Sequence, residues 1–204
     1  ADVLALLCLA GADVDGERVR FGRGLCRTII RATAPAEFTQ HARNTDRSIR
    51  IGGDHTVLGP AAGAPFVHDL DQGRRYATLE DLSNLISLVQ TIPCLGLAAG
   101  WIAAPMDKEL QERHLFAMES QFLFSDKPAI CAGAGATSVE DCVRMASLVF
   151  GDEFVQRNCV LYGAINTNSP LVLDATMMEG MKVLARANQA VTVSPYILSG
   201  AMGP

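Results

Sequence analysis

Four short apolar runs at nearly even spacing constrain this chain more than any other feature. They are CLGLAAG (94–100), PAICAGA (128–134), CVLYGAI (159–165) and AVTVSPYI (190–197), with starts 34, 31 and 31 residues apart. Most are nearly continuous in apolar residues instead of alternating, the pattern of parallel strands covered on both faces. The intervals between them have helical periodicity. Leu115, Met118 and Phe122 share one row within 109–124; Cys142, Met145, Ala146 and Val149 do so within 139–150; Leu173, Met177, Met181 and Leu184 do so within 172–187. Strand and helix in regular alternation predict an α/β fold in which each crossover moves the sheet one strand onward.

Even unit length favours a partial TIM (β/α)8 barrel of about four parallel strands over a complete open sheet. Eight units need roughly 250 residues, whereas 111 run from Cys94 to Pro204. The last run has no return helix after it, and the chain opens at Ala1 inside an apparent helix, without Met. The expectation is the first half of a barrel belonging to a longer protein. Composition agrees: 49% of residues are hydrophobic and 19% charged, so part of the surface is expected to be covered by other protein. Open sheet edges invite pairing with another copy, and a homo-oligomer is expected.

Before the barrel pattern, VLALLCLA closed by Gly11, the short strand VRF and a second helix from Leu25 to Ala32 occupy residues 1–36. Short runs punctuated by Gly52-Gly53, Gly59-Pro60 and Gly73 then indicate an antiparallel hairpin region. Thr78 and Asp81 have capping-box spacing and open a helix with the stripe Leu82, Leu85, Ile86 and Val89. Residues 1–77 are therefore assigned to helices and hairpins, and 78–204 to the half barrel. Thr137 with Glu140 gives a second capping box, and Ser169-Pro170 fits a cap followed by proline at the first helical position.

The net charge of −5 comes with no basic block, since Arg20, Arg23, Arg27 and Arg31 are scattered, which argues against nucleic acid as partner. No apolar run reaches 18 residues and no basic segment precedes one, so neither a membrane span nor a signal peptide is visible. Cys8, Cys26, Cys94, Cys131, Cys142 and Cys159 lie far apart without a CxxC pair, and are expected to be buried free thiols of a cytoplasmic protein.

Ligands of parallel α/β proteins bind outside the carboxyl ends of the strands. Those positions here are Gly100-Trp101, Gly133 to Thr137, Asn166 to Ser169, and Ser194 to Met202, which hold no His, Cys, Asp, Glu or Lys. Acid–base, covalent and metal chemistry are weakly supported there, and no metal is expected. In CAGAGATSVED the dinucleotide pattern fails at Ser138, so Gly133 and Gly135 are read as loop flexibility ahead of phosphate binding. Trp101 and Tyr196 could hold a methylated ammonium against their ring faces, and Asp69 could neutralise its charge. Asp69, Trp101, Asn166, Ser169 and Tyr196 are the candidate substrate-binding set; the catalytic residues remain unassigned. His55, His68, Asp69 and Asp71 could instead serve a metal-dependent hydrolase, although Gln72-Gly73 favours a turn. A non-catalytic module that binds quaternary amines is a further alternative. His114 and Glu119 are expected on the surface, and Met177, Met178 and Met181 in the core.

IGGDHTVLGPAAGAPFVHDLDQGRRYATLEDLSNLISLVQTI, SDKPAI, INTNSPLVLD and SPYILSGAMGP, in that order and spacing, resemble the trimethylamine methyltransferase (MttB) family of corrinoid-dependent methyltransferases. The resemblance spans essentially the whole chain. It implies a longer (β/α)8 barrel and transfer of a methyl group from a methylated amine to the cobalt of a corrinoid (cobalamin) carried by a partner protein. It further implies that INTNSPL is a loop at the barrel mouth, where a nucleophile is not required because the attacking atom belongs to the partner. Family members acting on trimethylamine carry pyrrolysine in a later part of the barrel, past Pro204, while relatives without it act on quaternary amines such as glycine betaine.

Overall fold

A computed structural model describes residues 3–168, 171–195 and 200. The chain divides into two compact units, Ala1–Glu37 and Phe38–Pro204.

In the first unit, helix α1 (Val3–Leu9) ends at Gly11 in a left-handed conformation that only glycine adopts freely. Strands β1 (Asp13–Asp15) and β2 (Arg18–Arg20) then form an antiparallel hairpin, and α2 (Leu25–Thr33) follows. Both helices and the VRF strand fall where the sequence predicts them.

The second unit begins within β3 (Glu37–Gln40), which pairs with β4 (Ile49–Gly52). Strands β5 (Phe66–Asp69) and β6 (Gly73–Tyr76) form an antiparallel hairpin that turns through Gly73. Helix α3 (Leu79–Thr91) starts on the predicted capping box: Asp81 N donates to Thr78 Oγ1 at 3.3 Å, and Thr78 N donates to Asp81 Oδ2 at 2.8 Å. Arg75 on β6 ties the hairpin to this helix by donating Nη1 to Asp81 Oδ2 at 2.5 Å and Nη2 to Asp81 Oδ1 at 2.8 Å. Leu82, Ile86 and Val89 face the core, as expected. At its far end Lys127 donates Nζ to the carbonyls of Val89 and Ile92, adding a charged donor to oxygens that also accept from Ile92 N and Leu95 N.

The remaining elements alternate: α4 (Arg113–Phe124), β7 (Ala129–Ile130), α5 (Ala136–Phe150), a short α6 (Asp152–Arg157), β8 (Leu161–Thr167), α7 (Ala175–Arg186) and β9 (Ala190–Pro195). The three strands form one parallel sheet in the order β7-β8-β9, with Ile130 opposite Tyr162 and Asn166 opposite Ser194. This is a mixed α/β fold, with three further two-stranded sheets among the described residues. Leu161, Gly163, Ile165 and Thr167 of β8 are buried, whereas Ala164 and Asn166 are exposed. The buried face carries the helices. Gly163 is there because any Cβ would collide with Leu184 of α7.

The first expected strand does not form. Residues 94–104 run between two neighbours without joining a ladder. On one side Gly96 N donates to Leu58 O at 2.9 Å and Ala104 N to Ala64 O at 2.9 Å; on the other, Ala98 N donates to Pro128 O at 2.9 Å. The ladder stops because Gln121 of α4 takes both backbone groups of Ile130. Its Oε1 accepts from Ile130 N and its Nε2 donates to Ile130 O, each at 2.9 Å. Gly100, at φ +48°, then breaks the extended path and lets the chain approach the Ile130 side chain closely.

Two more glutamines work at the amino ends of the strands. Gln40 is fully buried and donates Nε2 to Ala129 O at 2.7 Å and to Val160 O at 3.3 Å. Gln189 accepts from Val160 N and Leu161 N on Oε1, and its Nε2 lies within bonding distance of the carbonyls of Val155, Asn158 and Ala187.

Several sequence expectations are corrected. The buried residues of α4 are His114, Ala117, Met118, Ser120 and Gln121, while Leu115 is exposed; His114 is buried with its Nε2 paired to Asp141 of α5 at 3.0 Å. Glu119 is exposed, as expected. Helix α5 starts at Ala136, and Ser138 Oγ accepts from Ala134 N and Gly135 N, so the box predicted at Thr137 and Glu140 is not formed. Helix α7 starts at Ala175, later than expected, because Asp174 Oδ1 accepts from Met177 N at 2.8 Å. The predicted cap at Ser169-Pro170 lies outside the described residues. Of the six free cysteines Cys131 and Cys142 are buried, but Cys8, Cys26 and Cys94 are exposed.

Two measurements check these features. Gln189→Leu strands several buried backbone groups at once, and is expected to destabilise the protein by roughly 3 kcal/mol in urea unfolding. Asp81 is held well below its ordinary value of 3.8, first by its hydrogen bonds from Arg75. A depressed folded-state pKa stabilises the fold above the unfolded value, and that contribution fades as pH falls below about 4. Asp81→Asn should therefore lower stability at neutral pH and flatten the acid limb of a stability–pH profile.

Candidate functional site

Parallel strands bring their carboxyl ends to one side, and two hydrogen bonds mark that side. Trp101 donates Nε1 to Ala132 O, just past β7, at 2.7 Å. Ser194 of β9 donates Oγ to Asn166 Oδ1 of β8, also at 2.7 Å. The second bond follows from register: Asn166 and Ser194 are direct neighbours across the ladder, and β8 leads straight into the loop begun by Thr167 and Asn168.

That loop is braced from within. Asn168 and Val172 exchange backbone hydrogen bonds of 2.7 and 3.0 Å, and Asn168 Nδ2 donates to Asp174 Oδ2 at 3.0 Å. Leu171, at φ +68°, holds a conformation that non-glycine residues rarely take. The two asparagines of INTNSPL thus have different tasks. Asn168 closes the loop onto the cap of α7, while Asn166 stays on the exposed face of the sheet.

Of the five predicted ligand-facing residues, Ser169 and Tyr196 lie outside the described residues. Trp101 is partly buried against the main core, with its indole N–H committed to Ala132. Asp69 ends β5 and is engaged locally: Oδ1 accepts from Gln72 N at 2.6 Å and Asp71 N at 3.0 Å, and Oδ2 sits 3.3 Å from Arg75 Nη2. The Gln72 amide foremost, then the other bonds and Arg75, hold its carboxyl below the ordinary value, so it is ionised and already matched by a cation. Asn166 is bonded across the ladder to Ser194. Sequence reasoning locates Ser194 at a strand end but leaves it out of the candidate set, because its pairing with Asn166 depends on a register set by β8.

The sheet face opposite the helices presents Tyr162, Ala164 and Asn166 from β8 beside Thr192 and Ser194 from β9, none of them a carboxylate or an ammonium. Two thiols lie near the end of β7, both buried: a hydrogen bond with Cys142 lowers Cys131 from its ordinary value. Cys142 is pushed far above its ordinary value by its hydrogen bond with Cys131 and by burial, and burial raises Cys159. The phosphate alternative loses two loop donors, because the amides of Ala134 and Gly135 are taken by Ser138 Oγ. Among the described residues no three His, Cys, Asp or Glu side chains converge in a way that could hold a metal ion. His55, His68, Asp69 and Asp71 therefore do not assemble into a hydrolase centre. No helix among the described residues is long and apolar enough to cross a membrane.

A parallel sheet with neutral hydrogen-bonding groups at its carboxyl ends, built from the segments that carry the resemblance, agrees with two comparisons. The chain is 36% identical over 195 residues to the glycine betaine methyltransferase of Desulfitobacterium hafniense (strain Y51), an alignment covering 95% of this chain and 40% of that protein. The chain thus spans well under half the length of this relative. The profile of the family described as trimethylamine methyltransferase (MTTB) matches residues 1–204 from end to end, and the chain belongs to that family.

Proposed function

We propose that residues 78–204 are the first half of a (β/α)8 barrel, preceded by a helical and hairpin region at 1–77, and that the whole protein moves a methyl group from a methylated amine to a corrinoid. The corrinoid, carried by a partner protein docked over the strand carboxyl ends, would supply the nucleophilic cobalt. Family membership and the parallel order β7-β8-β9 support this reading. Its single carrying observation is the neutral, open sheet face at Asn166 and Ser194. The name of the relative favours a quaternary amine such as glycine betaine over trimethylamine.

The chain's own contribution is binding and orientation. Trp101, anchored by Ala132, gives the mouth a fixed aromatic wall, and a ring face attracts a methylated ammonium without an ion pair. Asn166 offers a directed amide, and Ser169, Tyr196 and the Arg75-matched Asp69 are proposed as further substrate contacts. Holding the donor methyl in line with the acceptor replaces a bimolecular search by a positioned encounter. Proton transfer is not needed, because the departing amine leaves as a neutral species. The protein is proposed to act in the cytoplasm, and as a homo-oligomer.

The test uses the full-length protein, a reduced corrinoid protein and a panel of trimethylamine, glycine betaine and carnitine. Methylation of cobalt, followed by its absorbance change, should require both proteins and one of these amines. Trp101→Ala should lower the rate about tenfold or more. Binding of an amine with no methylation by any corrinoid protein supplied would leave a binding module as the function.

A further inference from the structure

We propose that Ser194 is a positioning residue which fixes the carboxamide of Asn166 so that its N–H groups read an anionic group, a carboxylate, on the substrate. For its choice of ligands the inference rests on the methyltransferase reading above.

The two ends of one carboxamide differ in what they meet. Ser194 Oγ donates to Asn166 Oδ1 at 2.7 Å, and no described residue accepts from Asn166 Nδ2. An isolated asparagine can turn its amide either way at little cost. A hydroxyl donating to the oxygen selects one orientation, with the NH2 group directed away from the strand neighbour and into the open face. Asparagine is a poor strand former, and here it occupies the exposed face of β8, opposite serine, at the end where the loops begin.

The chemistry of the ligand then decides what this donor can meet. A quaternary ammonium has neither a hydrogen to give nor a lone pair to offer, so a carboxamide gains nothing from it. A protonated tertiary amine would seek Oδ1, one side of which Ser194 already occupies. A carboxylate on the same molecule accepts from Nδ2, and hydrogen bonds to charged groups are stronger than neutral ones. With no carboxylate among Tyr162, Ala164, Asn166, Thr192 and Ser194, none of these described residues repels such an anion.

Calorimetric titration of the full-length protein with glycine betaine and with choline, which differ in carboxylate against hydroxymethyl, tests this. Wild type should bind betaine about tenfold tighter than choline. Asn166→Asp, nearly isosteric but anionic, should reverse the order. Ser194→Ala should lower the betaine-to-choline ratio several-fold, and Ser194→Thr, which keeps the hydroxyl, should restore it. Equal binding of the two ligands by wild type, no binding of either, a ratio unmoved by Asn166→Asp, or a parallel loss of both ligands in Ser194→Ala would overturn the proposal. If the ratios behave as stated but no methyl reaches any corrinoid protein, the methyltransferase reading fails and this one stands. Methyl transfer with unchanged ratios removes the role of Ser194 and leaves the methyltransferase reading in place.

Discussion

Three glutamine side chains hold the parallel sheet where its backbone would otherwise be left unsatisfied. A buried peptide group without a partner costs of the order of 1–3 kcal/mol, and the amino ends of β7 and β8 present several. Gln40 supplies donors to Ala129 and Val160, Gln121 supplies a donor and an acceptor to Ile130, and Gln189 accepts from Val160 and Leu161 while tying the end of α6 to the start of β9. A carboxamide suits this task because it carries both kinds of group at one tip, as a peptide does. The register set here runs along the ladder, and it brings Asn166 beside Ser194.

The same replacement of backbone by side chain explains the limits of sequence reading. The helical intervals, the parallel strands after 128, the hairpin at Gly73 and the box at Thr78 are legible, because each has a periodic or local signal. The strand expected at 94–100 is apolar enough to form, but the edge it would join is taken by Gln121, a residue that reads as polar surface. His114 misleads in the same way: its burial depends on Asp141, 27 residues away. Periodicity counts a polar residue as solvent-facing, and cannot foresee a distant partner that offsets the cost of burial. The caps of α5 and α7 shift on a smaller scale, since Ser138 and Asp174 compete with neighbours of equal capping propensity.

The candidate site is legible in its position and only partly in its members. Strand ends can be located from the runs, which is enough to single out Trp101 and Asn166. Their hydrogen bonds cannot, and these change the chemistry. Trp101 has its N–H committed and offers ring faces alone, Asp69 is matched by Arg75, and Asn166 keeps a directed donor because Ser194 holds the other side of its amide. Charge and neutrality are segregated in this unit: the close Arg75–Asp81 pair joins the hairpin to α3, and the exposed β8–β9 face carries none among the described residues.

Neutrality at that face is a consistent requirement of the proposed reaction. A methylated ammonium carries its positive charge in the ground state and loses it as the methyl group departs. A carboxylate set against the nitrogen would stabilise the bound cation more than the transition state, and so raise the barrier. Aromatic faces and directed amides hold such a substrate by shape and by its other groups, without deepening the ground state at the reacting nitrogen. In the proposed reaction, the lack of an acid among the described residues of the strand face beside Asn166 would keep the methyl group transferable, and a carboxylate introduced there would hold a cationic amine more firmly while slowing its demethylation.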